Sequence, residues 1–428
     1  MSLSIDSPVI IVGAGMAGLT CAVYLKQVGI DALLIEAADH VGGRVRTDVV
    51  DGFRLDRGFQ ILLTAYPEAQ RLLNYSALEL KPFRSGALIR SNNDWVTFLN
   101  PFQEPSSAFQ TLTSPIGTLG DKLRIAGLIR QTQSQSIGEL FQQPATTTLE
   151  FLHQFGFTPQ IIDQFFRPFF GGVFLEDALV TSSNFLEFCF RMFFLDDVAV
   201  PAQGIGAIPD QLAARLSNDQ IRLKSVVKHI DGNQVILDTG EALTANSLVL
   251  AVDAAQAARL LGRPAPIAQS FNHTTCTYFA TPAGAELVPT GKKRLLMLNP
   301  QRSSAVHNLA IMTDVAPSYV LTDGRHEPQT LISVSTQGLE TVNEASLTDR
   351  IKQELTNWFG NEVHKWQHLR TYHIPQALPS YGPGSTHQPL QLSPTLYQCG
   401  DQTAYPSLNA AMQTGREVAQ LIISHRLS

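Results

Sequence analysis

The sequence predicts an α/β fold in which a parallel sheet is assembled from separated segments of the chain, with an α+β part inserted between them. Three observations predict it. Residues 8–36 give a buried strand, a helix and a second buried strand, and residues 396–425 add a last strand and helix. Between these ends, residues 148–195 hold more than half of the chain's 23 phenylalanines. We therefore expect a second domain with a phenylalanine-rich helical part.

The opening βαβ unit is the best defined part of the pattern. Residues 8–12 form an apolar, β-branched run that predicts a buried parallel strand, and residues 19–28 predict a helix that stops at Gly29. The second strand, 31–36, ends in an acid. A further helix is predicted at 66–73.

Beyond this unit the chain alternates polar stretches, strands and helices. Residues 131–136 are polar enough for a loop or a helix end, and we expect a linker or an exposed excursion there. The later elements are a hairpin of 221–230 with 234–237, strands at 248–252, 331–335 and 396–399, and helices at 346–359 and 409–425.

The composition excludes several classes of protein. With 44% hydrophobic and 16% charged residues, the chain is too apolar for a disordered protein. A net charge of −6 without a basic block argues against nucleic acid as a partner. No two of the four cysteines are close in sequence, so we expect free thiols in a reducing cytoplasm. No secretory pattern and no run of about 18 apolar residues occurs, which leaves only contact with a membrane surface open.

Three glycines follow the first strand in the order G-x-G-x-x-G. Gly13 allows the tight turn, Gly15 lets the backbone approach a pyrophosphate, and Gly18 lets the helix pack close to the sheet. Glu36 ends the second strand, where a carboxylate accepts hydrogen bonds from the ribose hydroxyls of an adenosine and disfavours NADP. The unit therefore predicts a Rossmann-type dinucleotide site.

The residues after Glu36 carry a more specific pattern, Val41-Gly42-Gly43-Arg44. The whole run VIIVGAGMAGLTCAVYLKQVGIDALLIEAADHVGGRVRT resembles the FAD-binding start of the flavin amine oxidase, phytoene desaturase and protoporphyrinogen oxidase superfamily. The resemblance implies that Met16 and Ala17 belong to the FAD-binding turn. It also implies that Gly42 and Gly43 pass beside FAD and that Arg44 reaches its phosphates.

The other end of the chain resembles the C-terminal flavin motif of the same superfamily. Gly400 and Asp401 end the last strand, and a helix of small residues follows. The resemblance implies that Asp401 contacts the ribityl chain and that the backbone of Asn409, Ala410 and Met412 lies near the pyrimidine side of the flavin, where a helix N-terminus stabilises negative charge.

The middle of the chain also matches the superfamily. Val227 resembles the position whose backbone meets the adenine, Ala251 resembles another residue that lines the cofactor, and Gly58 and Phe59 belong to a stretch that lies against the flavin ring. These matches imply a glutathione reductase-like FAD-binding fold with an inserted substrate domain.

Two domains of separated segments follow from this order. We assign residues 1–82, 201–268 and 385–428 to the FAD-binding domain and residues 83–200 and 269–384 to the substrate-binding domain.

Catalytic residues are not identified by the sequence, but three candidates stand out. Phe59 and Gln60 could border the reacting face of the flavin, and Tyr405 stands where an aromatic residue flanks the amine in amine oxidases. Asp56 is expected to be a structural hydrogen-bonding residue rather than a base.

Two features indicate the substrate class: the lack of a second dinucleotide motif and the many phenylalanines of residues 148–195. No second dinucleotide motif with strand–helix context is present, so we expect electrons to pass from an organic substrate to the flavin, by hydride transfer to N5, and then to oxygen or a quinone. The phenylalanines of residues 148–195 are either a helical core or the wall of a pocket. Together with the low charge they favour a bulky apolar substrate such as a carotenoid, another isoprenoid or a porphyrinogen.

Two other functions stay open. A flavin-containing amine oxidase is the first, although Lys292 and Lys293 lie in a loop-like stretch that suits a buried lysine poorly. The second is a prenyl- or lipid-binding escort protein without redox activity. No metal site is expected, because His364 and His368 belong to a stretch that alternates as a strand does, which separates the imidazoles.

Overall fold

The protein is represented by a computed structural model, which describes residues 9–91, 94–264, 270–285, 287, 293–321, 329–337 and 343–427. Two large sheets organise this part of the chain. The first is the parallel sheet that the sequence predicts, and the second is a mixed sheet of seven strands.

The parallel sheet brings together both ends and the middle of the chain. In spatial order its six strands are Ile221–Arg222, Ala32–Ile35, Val9–Val12, Ser247–Leu250, Leu396–Gln398 and Gln391–Ser393. All neighbours pair in parallel except the last two strands. The first two strands of the chain are buried along their whole length, as apolar strands covered on both faces must be. This confirms the predicted Rossmann-type α/β fold.

The seven-stranded sheet comes from the other segments of the chain. In spatial order its strands are Gln367–Pro379, Phe271–Ala280, Leu331–Gln337, Asn308–Ile311, Leu296–Leu298, Gly86–Ser91 and Asp94–Leu99. One face packs on the amphipathic helix Glu344–Phe359, where Leu347, Ile351 and Leu355 are fully buried. The helix repeats apolar residues every three or four positions, so these residues lie on one face, and this face packs on the sheet.

Three small sheets accompany the large ones. They pair Val227–Asp231 with Gln234–Leu237 and Ala242–Thr244, Thr47–Val50 with Phe53–Asp56, and Leu62–Leu63 and Lys81–Pro82 with Val198–Val200.

Helices cover both large sheets and fill the space between them. The α-helices are Met16–Gln27, Pro67–Leu72, Tyr75–Leu78, Ala108–Thr113, Leu119–Gln133, Ile137–Gln142, Thr148–Gln154, Pro159–Ile161, Arg167–Phe174, Ser183–Leu195, Ala207–Ala213, Ala254–Leu260, Met312–Val315, Glu344–Phe359 and Leu408–Leu427. A π-helix, Ile162–Phe166, joins Pro159–Ile161 to Arg167–Phe174. Within the described residues, no helix is both long and apolar enough to cross a bilayer.

The first and last helices pack directly on each other. A side-chain carbon placed on Gly415 would lie 2.3 Å from the carbonyl oxygen of Ala17. Only glycine therefore allows the two helix backbones to come this close. The contact fixes the C-terminal helix against the helix that begins at the first glycine turn.

Residues 131–136 are the helix end and loop that their polar sequence predicts. Residues 131–133 end the helix Leu119–Gln133, whose Ile125, Leu128 and Ile129 are buried, and residues 134–136 lead to the helix Ile137–Gln142. The polar residues of the first of these helices occupy its other face, so a glutamine-rich sequence still forms a packed helix.

The predicted strand 221–230 is two strands. Ile221–Arg222 joins the parallel sheet and Val227–Asp231 forms the hairpin, with Lys224 between them at a φ of 53°. A residue in this left-handed conformation interrupts a strand.

The strands of each large sheet come from the segments that were predicted to form one domain. The parallel sheet takes its strands from residues 1–82, 201–268 and 385–428, and the seven-stranded sheet takes its strands from residues 83–200 and 269–384. The domain boundaries themselves stay a prediction.

The buried carboxylate of Asp56 ties four segments together. Its Oδ1 accepts hydrogen bonds from the Thr47 hydroxyl at 2.6 Å and the Ile205 amide at 2.9 Å, and its Oδ2 accepts one from the Tyr319 hydroxyl at 2.8 Å. The Tyr278 hydroxyl donates to its backbone carbonyl at 2.9 Å. Asp56 therefore has the structural role expected from the sequence.

Replacing Asp56 by asparagine should change how stability depends on pH. Burial raises the pKa of Asp56 to about 6, so the fold favours the protonated acid. The raised pKa of Asp56 contributes fully to the free energy of unfolding below the unfolded pKa of about 3.9. This contribution, about 3 kcal/mol, is lost as the pH rises through about 6. Urea unfolding at pH 4 and pH 7 should show this loss in the native chain and not in Asp56→Asn. The exposed Asp238→Asn variant is the control, and identical pH profiles for the native chain and Asp56→Asn would contradict the prediction.

Candidate functional site

One cavity of about 1320 Å³ connects the parallel sheet with the phenylalanine-rich helices. It begins at the first glycine turn, passes along the strand Gln367–Pro379 and continues between aromatic side chains of Arg167–Phe174 and Ser183–Leu195. Its volume exceeds the usual range for a site that holds one drug-sized molecule. The cavity therefore has room for two ligands end to end.

The first glycine turn has the close backbone contacts that its sequence predicts. Gly13 has a φ of 105°, and a side-chain carbon there would lie 2.6 Å from the Ala251 carbonyl oxygen. A side-chain carbon on Gly18 would lie 2.1 Å from the Gly13 carbonyl oxygen, so Gly18 is needed for packing. Gly15 is different, since a side-chain carbon there would meet nothing within 4 Å. The space beside Gly15 belongs to the cavity.

The helix Met16–Gln27 begins at this open space. Its N-cap is Gly15, no side chain caps it, and its first turn holds no acid. The first N–H groups of a helix have no partner within the helix and carry partial positive charge. Since Met16 and Ala17 line the cavity, this end is suited to a phosphate.

Glu36 lies at the same end of the cavity. Its carboxylate accepts backbone hydrogen bonds from Ala14 at 2.8 Å and Ala38 at 2.9 Å. A carboxylate has about four acceptor positions, so Glu36 keeps capacity for the hydroxyls of a ribose.

Arg44 and Asp401 join the two chain ends by an ion pair. The Arg44 Nη2 and Asp401 Oδ1 atoms are 2.5 Å apart, and Arg44 Nη1 donates to the Ala377 carbonyl at 3.0 Å. Burial works against the charge of the guanidinium, but Asp401 outweighs it and raises the pKa of Arg44. Both residues line the cavity beside Gly42, Gly43 and Gly400.

The start of the last helix faces the cavity. Ser407, Leu408 and Ala411 line the cavity, whereas the side chains of Ala410 and Met412 are fully buried in the core. The helix turns by about 100° per residue, so residues next to each other face different sides. That the backbone of Asn409, Ala410 and Met412 lies near the pyrimidine side of the flavin stays a prediction.

Tyr405 and Asn409 are core residues. The Tyr405 ring stacks on Phe141 with 4.4 Å between centroids, and its hydroxyl accepts a hydrogen bond from Asn409 Nδ2 at 2.9 Å. Asn409 Oδ1 accepts one from the Glu68 amide at 3.1 Å. Neither residue lines the cavity, so Tyr405 is not placed as an aromatic residue beside a substrate.

Val227 is also buried outside the cavity lining, in the core beneath the hairpin. Ala251 lines the cavity. In the stretch after Asp56, Gly58, with a φ of 95°, Phe59 and Gln60 also line the cavity. Their contact with the cofactor stays a prediction.

Contacts fix Phe59 and Gln60 in place. Phe59 packs edge-on against Phe83 with 6.1 Å between centroids. The Gln60 Nε2 donates to the carbonyls of Arg44 and Arg57, each at 2.9 Å. Their role as catalytic residues stays a prediction.

The phenylalanines of residues 148–195 divide into core residues and residues that line the aromatic end of the cavity. Some are core residues, such as Phe166, Phe174 and Phe188, which are fully buried. Others are cavity wall: Phe165, Phe169, Phe170, Phe185, Phe190, Phe193 and Phe194. Both interpretations of residues 148–195 are therefore correct for different faces of the same helices.

One polar group in the cavity lining was missed. Asp48 accepts two hydrogen bonds from Arg57, both at 3.0 Å, and one from the Tyr372 hydroxyl at 2.8 Å. Burial opposes its charge, but these hydrogen bonds hold the pKa of Asp48 below its usual value. The guanidinium carbon of Arg370 lies 5.7 Å from the centroid of the Tyr372 ring, a cation–π contact. Tyr372 lies 324 positions from Asp48 in the sequence, so no local pattern predicts the group.

Of the two lysines considered from the sequence, Lys293 does not line the cavity, and Lys292 lies outside the described residues. All four cysteines are buried free thiols. Among the described residues, no cluster of three histidines, cysteines or acids is arranged to hold a metal.

The fold, the glycine turn and the joined chain ends define a dinucleotide-binding flavoprotein. A family model described as flavin containing amine oxidoreductase matches residues 16–423. The chain belongs to this family, and it is an oxidoreductase with FAD as its cofactor.

Curated relatives match shorter segments. The 4,4'-diaponeurosporene oxygenase of Staphylococcus haemolyticus is 36% identical over 75 residues, which is 18% of this chain and 15% of that protein. Protoporphyrinogen oxidase 2 of Arabidopsis thaliana is 26% identical over 171 residues, which is 40% of this chain and 33% of that protein. The matches therefore span a third or less of these relatives' lengths.

Solved structures match over nearly the whole chain. A putative protoporphyrinogen oxidase from Exiguobacterium sp. 255-15 has a TM-score of 0.73 at 17% identity and covers 98% of this chain and 99% of its own. Putrescine oxidase bound to putrescine has a TM-score of 0.72 at 17% identity, with coverage of 98% and 99%. At this identity the likeness establishes the fold.

Gly15→Ala should weaken FAD binding without weakening the fold. The added carbon meets no protein atom, yet it enters the space that the turn leaves open. We expect the affinity of the apoprotein for FAD to fall about tenfold or more, since overpacking a close contact costs about 1–3 kcal/mol. Titration calorimetry with FAD and thermal unfolding of the apoprotein measure the two effects separately.

Two other glycines make matched controls. Gly138→Ala also adds a carbon in open space, but outside the cavity, and should leave the affinity for FAD unchanged. Gly18→Ala should destabilise the apoprotein itself. Unchanged FAD affinity in Gly15→Ala would show that the cofactor does not approach this turn.

Proposed function

We propose that the protein dehydrogenates or isomerises a bulky apolar substrate with FAD. The observation that carries the proposal is the continuous cavity, which has a phosphate-binding glycine turn at one end and a phenylalanine wall at the other. A cofactor and a large apolar molecule would meet where these two regions join.

The residues present fit FAD at the first end. The open space beside Gly15 and the uncapped helix start would take the diphosphate, Glu36 the ribose hydroxyls, and the Arg44–Asp401 pair the middle of the cofactor. FAD, when bound, accepts a hydride from a substrate C–H bond. We further propose oxygen or a quinone as the final electron acceptor.

The chain's own residues would orient the substrate and exclude water. Phenylalanine side chains line the second end of the cavity, and Phe169 and Phe193 hold each other edge-on with 5.0 Å between centroids. Burying apolar surface against such a wall is favourable, and a wall of packed aromatic rings is rigid. The names of the curated relatives, which include a diaponeurosporene oxygenase and a protoporphyrinogen oxidase, support carotenoid-like or porphyrinogen substrates.

Anaerobic mixing with candidate substrates should test the redox proposal. We expect a carotenoid or porphyrinogen to bleach the flavin absorption, because it fits the apolar end, and putrescine to leave the absorption unchanged. Phe193→Ala should lower kcat/KM for the apolar substrate about tenfold or more, since it removes buried apolar contact. Phe155→Ala, a partly buried phenylalanine outside the cavity, is the matched control.

The other outcomes assign other functions. Bleaching by the amine alone would make the protein an amine oxidase. A purified protein without any flavin would favour the lipid-binding escort function.

An apolar rim surrounds the open end of the aromatic region. Phe102, Leu112 and Leu123 line the cavity and are exposed at the surface. Phe109 is 80% exposed and Leu119 is 58% exposed, and they lie three and four residues from Leu112 and Leu123 on the same helix faces. We propose that this rim contacts a lipid bilayer, from which an apolar substrate would enter the cavity directly.

The double variant Phe109→Ser and Leu119→Ser should lose contact with vesicles. Neither residue lines the cavity, so turnover of a detergent-dispersed substrate should stay unchanged. We expect the vesicle-bound fraction to fall about tenfold or more in sedimentation with phosphatidylcholine–phosphatidylglycerol liposomes. Val49→Ser, at another exposed apolar residue, should sediment like the native chain. A native protein that stays in the supernatant at low and high salt would overturn the proposal.

A further inference from the structure

Asn100 carries an unpaired amide group in the cavity lining. The residue follows the edge strand Asp94–Leu99, lines the cavity and is only 6% exposed. Its Oδ1 accepts a hydrogen bond from the Phe102 amide at 3.0 Å, which fixes the orientation of the side-chain amide. Its Nδ2 is buried and has no hydrogen-bond partner among the residues that the structure describes. A buried donor without a partner is unfavourable, so this atom points to a ligand.

Lys122 is a buried ammonium in the same cavity lining. Its Nζ donates to the carbonyls of Leu112 at 2.9 Å and Ser114 at 2.5 Å. An ammonium has three donors, so one remains for a ligand. Burial lowers the pKa of Lys122, and the charge of Asp121 offsets this only in part. A further negative charge beside Lys122 would therefore be favourable.

Both donors adjoin the short helix Ala108–Thr113. The hydroxyl of Thr111 in this helix donates to the carbonyl of the residue before Asn100 at 3.1 Å. The carbonyl of Leu112 in the same helix accepts the hydrogen bond from Lys122. Since Thr111 and Leu112 both line the cavity, the two donors flank one short part of its wall.

The charges around this part of the wall favour an anion. Arg84 also lines the cavity, next to Ser85, whose carbonyl accepts a hydrogen bond from the Asn100 amide at 3.0 Å. Arg84 is neutralised by Glu104, which accepts hydrogen bonds from its Nε at 2.8 Å and its Nη2 at 2.5 Å. Acids of the cavity lining come from the segments that hold the parallel sheet, and they are Glu36, Asp48, Asp253 and Asp401. Lys122 therefore leaves a net positive charge at this part of the cavity.

The two donors lie directly inside the apolar rim. Asn100 is two residues from Phe102, and Lys122 precedes Leu123 and contacts Leu112. A polar end of a substrate held here stays close to water, while its apolar part extends inward among the phenylalanines. This orientation desolvates less of the polar end than the reverse one.

We propose that Asn100 Nδ2 donates a hydrogen bond to the carboxylate of an otherwise apolar substrate and that Lys122 supplies the charge that favours an anion. This inference rests on the proposed function and narrows its substrate class to acids with a large apolar part. The carboxylate is held near the rim, and the part of the substrate that reacts lies deeper in the cavity. A pure hydrocarbon would leave Asn100 Nδ2 buried without a partner.

Binding of three C12 probes to the FAD-loaded protein tests the proposal. Dodecanoate, dodecanol and dodecylamine share one saturated chain and differ in the head group, and titration calorimetry gives their affinities. We expect dodecanoate to bind about tenfold or more tightly than dodecanol, and dodecylamine to bind most weakly. Equal affinity for all three probes, a preference for the amine, or no binding of dodecanoate would overturn the proposal.

Substitution of Asn100 identifies the hydrogen-bond donor. Asn100→Asp keeps the oxygen that accepts from Phe102 and replaces the donor by a negative group. Dodecanoate should therefore bind about tenfold or more weakly, and the preference should shift towards dodecylamine. Asn233→Asp adds the same charge at an exposed residue outside the cavity and should retain the native affinities. Unchanged binding of dodecanoate to Asn100→Asp would show that this amide does not contact the carboxylate.

Lys122→Gln separates the effect of charge from that of the hydrogen bond. It removes the positive charge and keeps an amide donor, so dodecanoate should lose affinity while dodecanol keeps its affinity. Equal weakening of both probes would contradict the role of Lys122. If either variant does not fold, the comparison of the three probes on the native protein still decides.

The outcome is separate from the redox test. Binding of a saturated probe needs no electron transfer, so absence of a head-group preference would leave the flavin bleaching by apolar substrates intact. Failure of every candidate to bleach the flavin would refute the redox proposal, whatever the affinities of the dodecyl probes.

Discussion

The site depends on how closely three stretches of backbone approach each other at the first glycine turn. Gly18 lies against the carbonyl of Gly13, and Gly415 lies against the carbonyl of Ala17, at distances that no side-chain carbon allows. These contacts hold the first helix on the sheet and the last helix on the first. They leave the space beside Gly15 open. Close packing at Gly18 and Gly415 therefore positions the helix start so that a phosphate can approach it beside Gly15. The Arg44–Asp401 ion pair lies at the same junction of the two chain ends.

Polarity is graded along the cavity. Charged groups occupy the end beside Glu36 and Arg44, and phenylalanines occupy the far end. A buried carboxylate is unfavourable without partners, and Asp56 and Asp48 illustrate two outcomes. Burial raises the pKa of Asp56 to about 6 although its hydrogen-bond donors oppose the rise, whereas hydrogen bonds from Arg57 and Tyr372 hold the pKa of Asp48 below its usual value. Asp56 joins segments of the fold, and Asp48 lines the cavity.

Much of this arrangement follows from local sequence. The βαβ unit, the glycine turn and the helix Glu344–Phe359 each repeat apolar residues with the period of their structure, so single stretches predict them. Side-chain direction is harder to predict. Tyr405 is two positions from Ser407, yet Tyr405 packs in the core and Ser407 lines the cavity. Groups such as Asp48 with Tyr372 depend on contact between distant strands, which no local pattern contains.

The order of strands in the parallel sheet has a consequence for folding. The strand Ser247–Leu250 pairs on one side with Val9–Val12 and on the other with Leu396–Gln398. Both pairings join residues far apart in sequence, and such pairings form slowly because a long loop must close first. Asp401 and the helix that covers Ala17 follow Leu396–Gln398 in sequence. Until that segment docks, Ser247–Leu250 presents an unpaired edge, so a folding intermediate without it is open to association with another chain.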